Sequence, residues 1–193
     1  YFYATRSTEL GWTRDVLLNY IKADAFSTRE EQPKLHNFKE TLPECLQEQA
    51  EEMLKSRYNL EFLGITKPIL ELELERRLVD KIKTFLLEMG KGFSFIGNQY
   101  RLVLEDKEYF VDMLFFNRCT RSLIALELKI GSFQPEYVGK MNFYLNLLDR
   151  QVKMPDENPS IGIILCADRN NVEVEVALQG STAPIGVSEY SYL

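Results

Sequence analysis

Two apolar runs, residues 109–116 and 123–130, are separated only by the polar stretch Asn117-Arg118-Cys119-Thr120-Arg121-Ser122. Apolar runs of that length joined by so short a polar link form a β-hairpin, and strands this apolar read as buried. Each run nevertheless carries charge, Asp112 in the first and Glu127 and Lys129 in the second. Strand side chains alternate between faces, so Phe110, Asp112, Leu114 and Phe116 share one face, while Leu123, Ala125, Glu127 and Lys129 share one face of the next strand. A loop formed by Arg118, Cys119, Thr120 and Arg121 sets Asn117 opposite Ser122. Counting back along both arms then puts Asp112 opposite Glu127, with Cβ atoms roughly 4.5 to 5.5 Å apart. Lys129, two positions farther on, stands about 6.6 Å from Glu127.

Like charges placed across a sheet destabilise it. A divalent cation between them reverses the sign, because Mg²⁺ takes one or two carboxylates and completes its shell with water and phosphate oxygens. An ammonium at Lys129 can then reach a phosphate beside the ion. A plainer reading competes, in which Glu127 and Lys129 form the solvated face of an amphipathic strand and Asp112 is an edge charge that blocks aggregation. Register matters to the choice, since a loop one residue longer or shorter turns one strand's faces over.

The chain has 193 residues, 45% of them hydrophobic, which suits one domain with a real core. No apolar stretch approaches the roughly 18 residues of a spanning helix and no signal-peptide pattern opens the chain, so the expectation is a cytoplasmic protein with no membrane partner. It starts at Tyr1 and reads as a fragment of something longer. Cys45, Cys119 and Cys166 are widely spaced without a C-x-x-C arrangement and read as core or loop thiols. His36 is the only histidine, which argues against Ser-His-Asp or Cys-His catalysis. A net charge of −6 argues against a basic protein that coats nucleic acid. Residues 97–153, however, hold eight basic against seven acidic side chains, so phosphate contact can be local, modest and salt-dependent.

Residues 12–23, with Trp12, Val16 and Tyr20 at helical spacing, and the acidic stretch 42–58 read as helices with thin cores. They suggest a helical arm over residues 1–59, packed on a preceding portion or forming a homodimer through these helices. A second unit is expected over 60–193. Its strongest helix is 69–89, with Leu70, Leu74, Leu78, Ile82 and Phe85 in one stripe and Gly90 ending it. Glu71, Glu73 and Glu75 load the first turns, where the helix dipole favours anions; capping and solubility explain them equally well. Glu75 borders the buried side and can lean toward the hairpin. Residues 93–96 and 101–104 read as short strands. Gln134-Pro135 opens a helix to about Val152, with Val138, Met141, Leu145 and Leu148 inward and Glu136 and Lys140 as an outer i,i+4 pair. Lys140 is also placed to touch a phosphate. Residues 161–167 read as a strand buried on both faces, 172–178 as a short helix and 185–187 as a last strand.

This order, with Asp112 and the tripeptide Glu127-Leu128-Lys129, resembles the PD-(D/E)xK nuclease superfamily. Flanking text sharpens the match: Phe110-Val111-Asp112-Met113-Leu114-Phe115-Phe116, Glu127-Leu128-Lys129-Ile130-Gly131, Pro135-Glu136-Tyr137-Val138-Gly139-Lys140-Met141-Asn142-Phe143-Tyr144-Leu145 and Ile161-Gly162-Ile163-Ile164-Leu165-Cys166. Together these look like the bacterial YhcG-type PDDEXK nuclease domain-containing family, in which a helical N-terminal domain precedes the nuclease domain. The resemblance implies an α/β fold, a restriction-endonuclease-like mixed β-sheet core flanked by helices, after an N-terminal helical arm. It implies a Mg²⁺- or Mn²⁺-dependent nuclease acting on DNA, with Asp112 and Glu127 as metal ligands, Lys129 as the catalytic lysine and Glu75 as an auxiliary ligand. Glu71 and Glu73 are rivals for that last role, and Lys140 is the candidate for nucleic-acid contact. Val111 stands where the superfamily usually has proline beside aspartate. The alternative is a nucleic-acid-binding or assembly module that retains the nuclease fold but is catalytically silent.

Overall fold

The computed structural model describes residues 2–10, 14, 17, 18, 21 and 33–192. Trp12, Val16 and Tyr20, which carry the helix expected over 12–23, lie outside the described residues. A seven-stranded mixed sheet organises the rest: β1 (Leu35–His36), β2 (Arg57–Asn59), β3 (Phe93–Leu104), β4 (Lys107–Asn117), β5 (Ser122–Ser132), β6 (Ile161–Asp168) and β7 (Ile185–Ser191). The strand order is β1-β7-β6-β5-β4-β3, with β2 pairing β7 from off this path. Strands β5, β6 and β7 run parallel, while β3, β4 and β5 form an antiparallel meander. The described elements also include helices α1 (Phe2–Leu10), α2 (Phe38–Thr41), α3 (Glu44–Met53), α4 (Glu71–Asp80), α5 (Ile82–Met89), α6 (Glu136–Gln151) and α7 (Asn171–Leu178), and a 3-10 turn over Glu61–Leu63. A mixed α/β sheet flanked by helices is the architecture the sequence led one to expect. No described helix is long and apolar enough to cross a membrane.

Two apolar cores cover the sheet. Phe115, Leu126, Leu128, Ile163 and Leu165 pack with Ala50, Leu74, Leu78 and Phe85 of α3, α4 and α5. Leu114, Ala125, Ile164 and Val187 pack with Met141, Leu145, Leu148, Val174 and Leu178 of α6 and α7. Strand β6 is buried from Ile161 to Cys166, as its unbroken apolar run requires. Val111 joins the second core together with Leu114, while Met113 joins the first, so strict alternation lapses across Asp112.

Four expectations are corrected. The helix over 69–89 is two helices meeting at Lys81 (φ −109°, ψ 26°). Leu70 leaves the stripe: it is 74% exposed because its extended backbone (ψ 156°) precedes the first helical turn. The two short strands at 93–96 and 101–104 are one strand, which pairs with β4 along its length by accommodating a bulge between Phe95 and Gly97. Residues 42–58 are helical only over Glu44–Met53, after which Arg57–Asn59 runs parallel to β7 and Arg57 bonds Glu189. Strands β1 and β2, on the arm side of the expected division at 59/60, are thus hydrogen-bonded into the same sheet. The acidic surface of α3 hid its inner stripe of Leu46, Ala50 and Met53.

Helix α6 can lie close to the sheet because Gly162 has no side chain. A Cβ there would stand 2.5 Å from Met141 Cγ and 2.7 Å from its Sδ. Gly162→Ala is therefore expected to cost about 1–3 kcal/mol by overpacking, read as a lower urea midpoint. An unchanged midpoint would mean that the buried Met141 moves aside at no cost.

Candidate active site

The β4–β5 turn is built by one side chain: Asn117 Oδ1 accepts the backbone N–H groups of Cys119 (2.9 Å) and Thr120 (3.2 Å). That turn fixes Asn117 opposite Ser122, and the ladder runs in this register to Met113 opposite Leu126. It stops one step short of Asp112 and Glu127. There Asp112 Oδ2 replaces a backbone partner and accepts the N–H of Leu128 at 2.8 Å.

Glu127 has a side chain only 2% exposed. Its Oε2 accepts Lys140 Nζ at 2.9 Å and lies 3.6 Å from Lys129 Nζ, while Oε1 is buried with no hydrogen-bond partner among the described residues. Lys129 in turn donates to Glu71 Oε1 at 2.6 Å and lies over the Tyr137 ring. Glu75, buried on α4, receives Asn98 Nδ2 at 2.9 Å and Gln99 Nε2 at 2.5 Å, and the same Gln99 nitrogen lies 3.5 Å from Asp112 Oδ1. A pocket lined by Glu71, Leu72, Glu75, Gln99, Asp112 and Leu128 opens beside them.

Asp112, Glu127, Lys129, Lys140 and Glu75 therefore converge. Glu73 does not: Arg76 and Arg77 bind it on the helix surface and hold its carboxyl down at about 2. Glu71 reaches the group through Lys129. Lys140 pairs with Glu127 on β5 instead of the Glu136 expected one turn away. Asn98 and Gln99 were missed as site residues; their signal was a polar pair inside an otherwise strand-forming stretch.

Burial, and then the charge of Glu127, push the Asp112 carboxyl up to about 6, against the Leu128 N–H and the two lysines. Burial works against both ammonium groups, but the hydrogen bonds that Lys129 donates to Glu71 and Lys140 donates to Glu127, together with the carboxylate charges, override it and raise both. A carboxyl raised on folding binds its proton more tightly in the folded state, so stability from this source grows as pH falls through about 6 and is lost above it. Asp112→Asn keeps an acceptor for Leu128 and removes the charge. It is expected to melt higher than the parent at pH 7, with the advantage gone near pH 4; a lower melting point at pH 7 would refute this.

Among the described residues no three His, Cys, Asp or Glu side chains are gathered into a ready-made metal-binding group. Asp112 and Glu127 with an unpartnered buried oxygen are nonetheless the donors a hard cation takes.

A model of the YhcG PDDEXK nuclease domain matches residues 51–193. The chain belongs to that family. The chain is 33% identical over 193 residues to the protein named "Putative nuclease YhcG" from Escherichia coli (strain K12). That match covers 98% of this chain and 51% of the relative, so the chain spans about half of its curated relative's length. Among solved structures, a repair endonuclease from Pyrococcus abyssi is 14% identical with a TM-score of 0.41, over 67% of this chain and 49% of that one. EndoMS in its apo form is also 14% identical at a TM-score of 0.41, over 66% and 48% of the two chains.

Proposed function

We propose that this nuclease domain hydrolyses phosphodiester bonds in DNA with the help of a divalent cation, Mg²⁺ or Mn²⁺, held by Asp112 and Glu127 with Glu75 assisting. The observation that carries the reading is the pairing of two carboxylates, one of them with a buried oxygen that has no partner among the described residues, beside two lysines. An isolated buried carboxylate oxygen costs about 1–3 kcal/mol, which a cation offsets. When bound, the ion would polarise a phosphoryl oxygen and lower the pKa of water. Lys129 supplies the positive charge that the developing phosphorane needs, and its Glu71 partner, with a half-exposed side chain, can exchange it for a phosphate. Lys140, released from Glu127, contacts the nucleic-acid backbone.

One observation favours the silent binding module: Lys129 and Lys140 are both already neutralised by carboxylates. Incubating the protein with plasmid, linear duplex, single-stranded DNA and RNA, with Mg²⁺ or Mn²⁺ and with chelator, separates the two. Cation-dependent cutting that chelator stops is the expected outcome, and a DNA preference over RNA is expected with it. Retention of DNA with no cleavage under any cation would establish the silent reading instead.

A further inference from the structure

Gln99 is the one site residue with a left-handed backbone, at φ +45°. That conformation is unfavourable for a residue with a Cβ, and such strain persists where something else is gained. Neighbouring residues of a strand ordinarily point to opposite faces. Asn98 and Gln99 are consecutive, yet both donate to the Glu75 carboxylate, at 2.9 Å and 2.5 Å. Rotation of the chain at Gln99, just past the β3 bulge, is what brings the two amides to one acceptor. The Gln99 amide nitrogen carries two hydrogens and also faces Asp112 Oδ1 at 3.5 Å. A single side chain thus spans a carboxylate of α4 and a carboxylate of β4.

We infer that Gln99 is a positioning residue: it yokes Glu75 to Asp112 so that both carboxylates face one spot, and it thereby makes Glu75 part of the cation site. This rests on the cation-site reading above. Asn98 holds one oxygen of the buried Glu75 carboxylate; Gln99 holds the other and adds the link to Asp112.

Calorimetric titration of the full chain with Mn²⁺ tests it. Gln99→Gly removes the amide and suits the left-handed backbone; Gln99→Met keeps the bulk. Both are expected to bind Mn²⁺ about ten- to a hundredfold more weakly than the parent, the range for losing a group that orients a metal ligand. Gln99→Gly should do so with an undiminished melting temperature, which separates positioning from structural support. Adding Gln99→Gly to Glu75→Gln should weaken binding by less than the two single losses combined, because part of the Gln99 effect runs through Glu75. Parental affinity in Gln99→Gly and Gln99→Met, or additive losses in the double variant, would overturn the yoke and leave the cation site standing. A parent chain that binds no Mn²⁺ would overturn both.

Discussion

Lys129→Met is expected to lower the rate of DNA cleavage by about a hundred- to a thousandfold, the effect of removing one group preorganised for transition-state charge. Folding should survive the change. Glu71, the ammonium's shortest contact, has a side chain 42% exposed and returns to solvent, while Glu127 keeps Lys140 at 2.9 Å. Mn²⁺ affinity should hold or rise modestly, because one positive charge near the ligands is gone. The two readouts therefore move apart, and that is the diagnostic. Near-parental cleavage by a folded Lys129→Met protein would remove Lys129 from the chemistry.

Glu127→Gln is expected to have the larger effect on binding. The amide keeps the shape and one acceptor for Lys140, but it can place a donor where the carboxylate has a buried oxygen with no partner among the described residues. Losing one of two principal carboxylates should take Mn²⁺ binding below calorimetric detection and cleavage with it. Melting should change little, since Lys140, with a side chain 43% exposed, can be solvated. Persistent Mn²⁺ binding would place the ion elsewhere in the molecule.

Much of this site could be read before any coordinates. The hairpin register followed from the loop because Asn117 both ends β4 and nucleates the turn, so the count from Ser122 held down to Leu126. Strand β6 and helix α6 were legible because their apolar patterns have one interpretation each. The break at Lys81 was not, since nothing in 69–89 departs from helical periodicity there. Nor could the partner of Lys140 be read: Glu136 is its neighbour along the helix, whereas Glu127 becomes its neighbour only once α6 crosses β5. Gln99 was missed for a related reason, because its role depends on a left-handed turn inside a strand, at a residue that is not glycine. The sheet contribution of residues 35–59 was masked by an acidic surface that dominates local composition.

The β4–β5 pairing stops at Met113 and Leu126, and beyond it one side-chain carboxylate, not main chain, spans the gap to Leu128. Admitting an ion or a phosphate there disrupts no inter-strand backbone bond. In the cation-site reading, access would therefore turn on a few side chains and not on the opening of a backbone ladder.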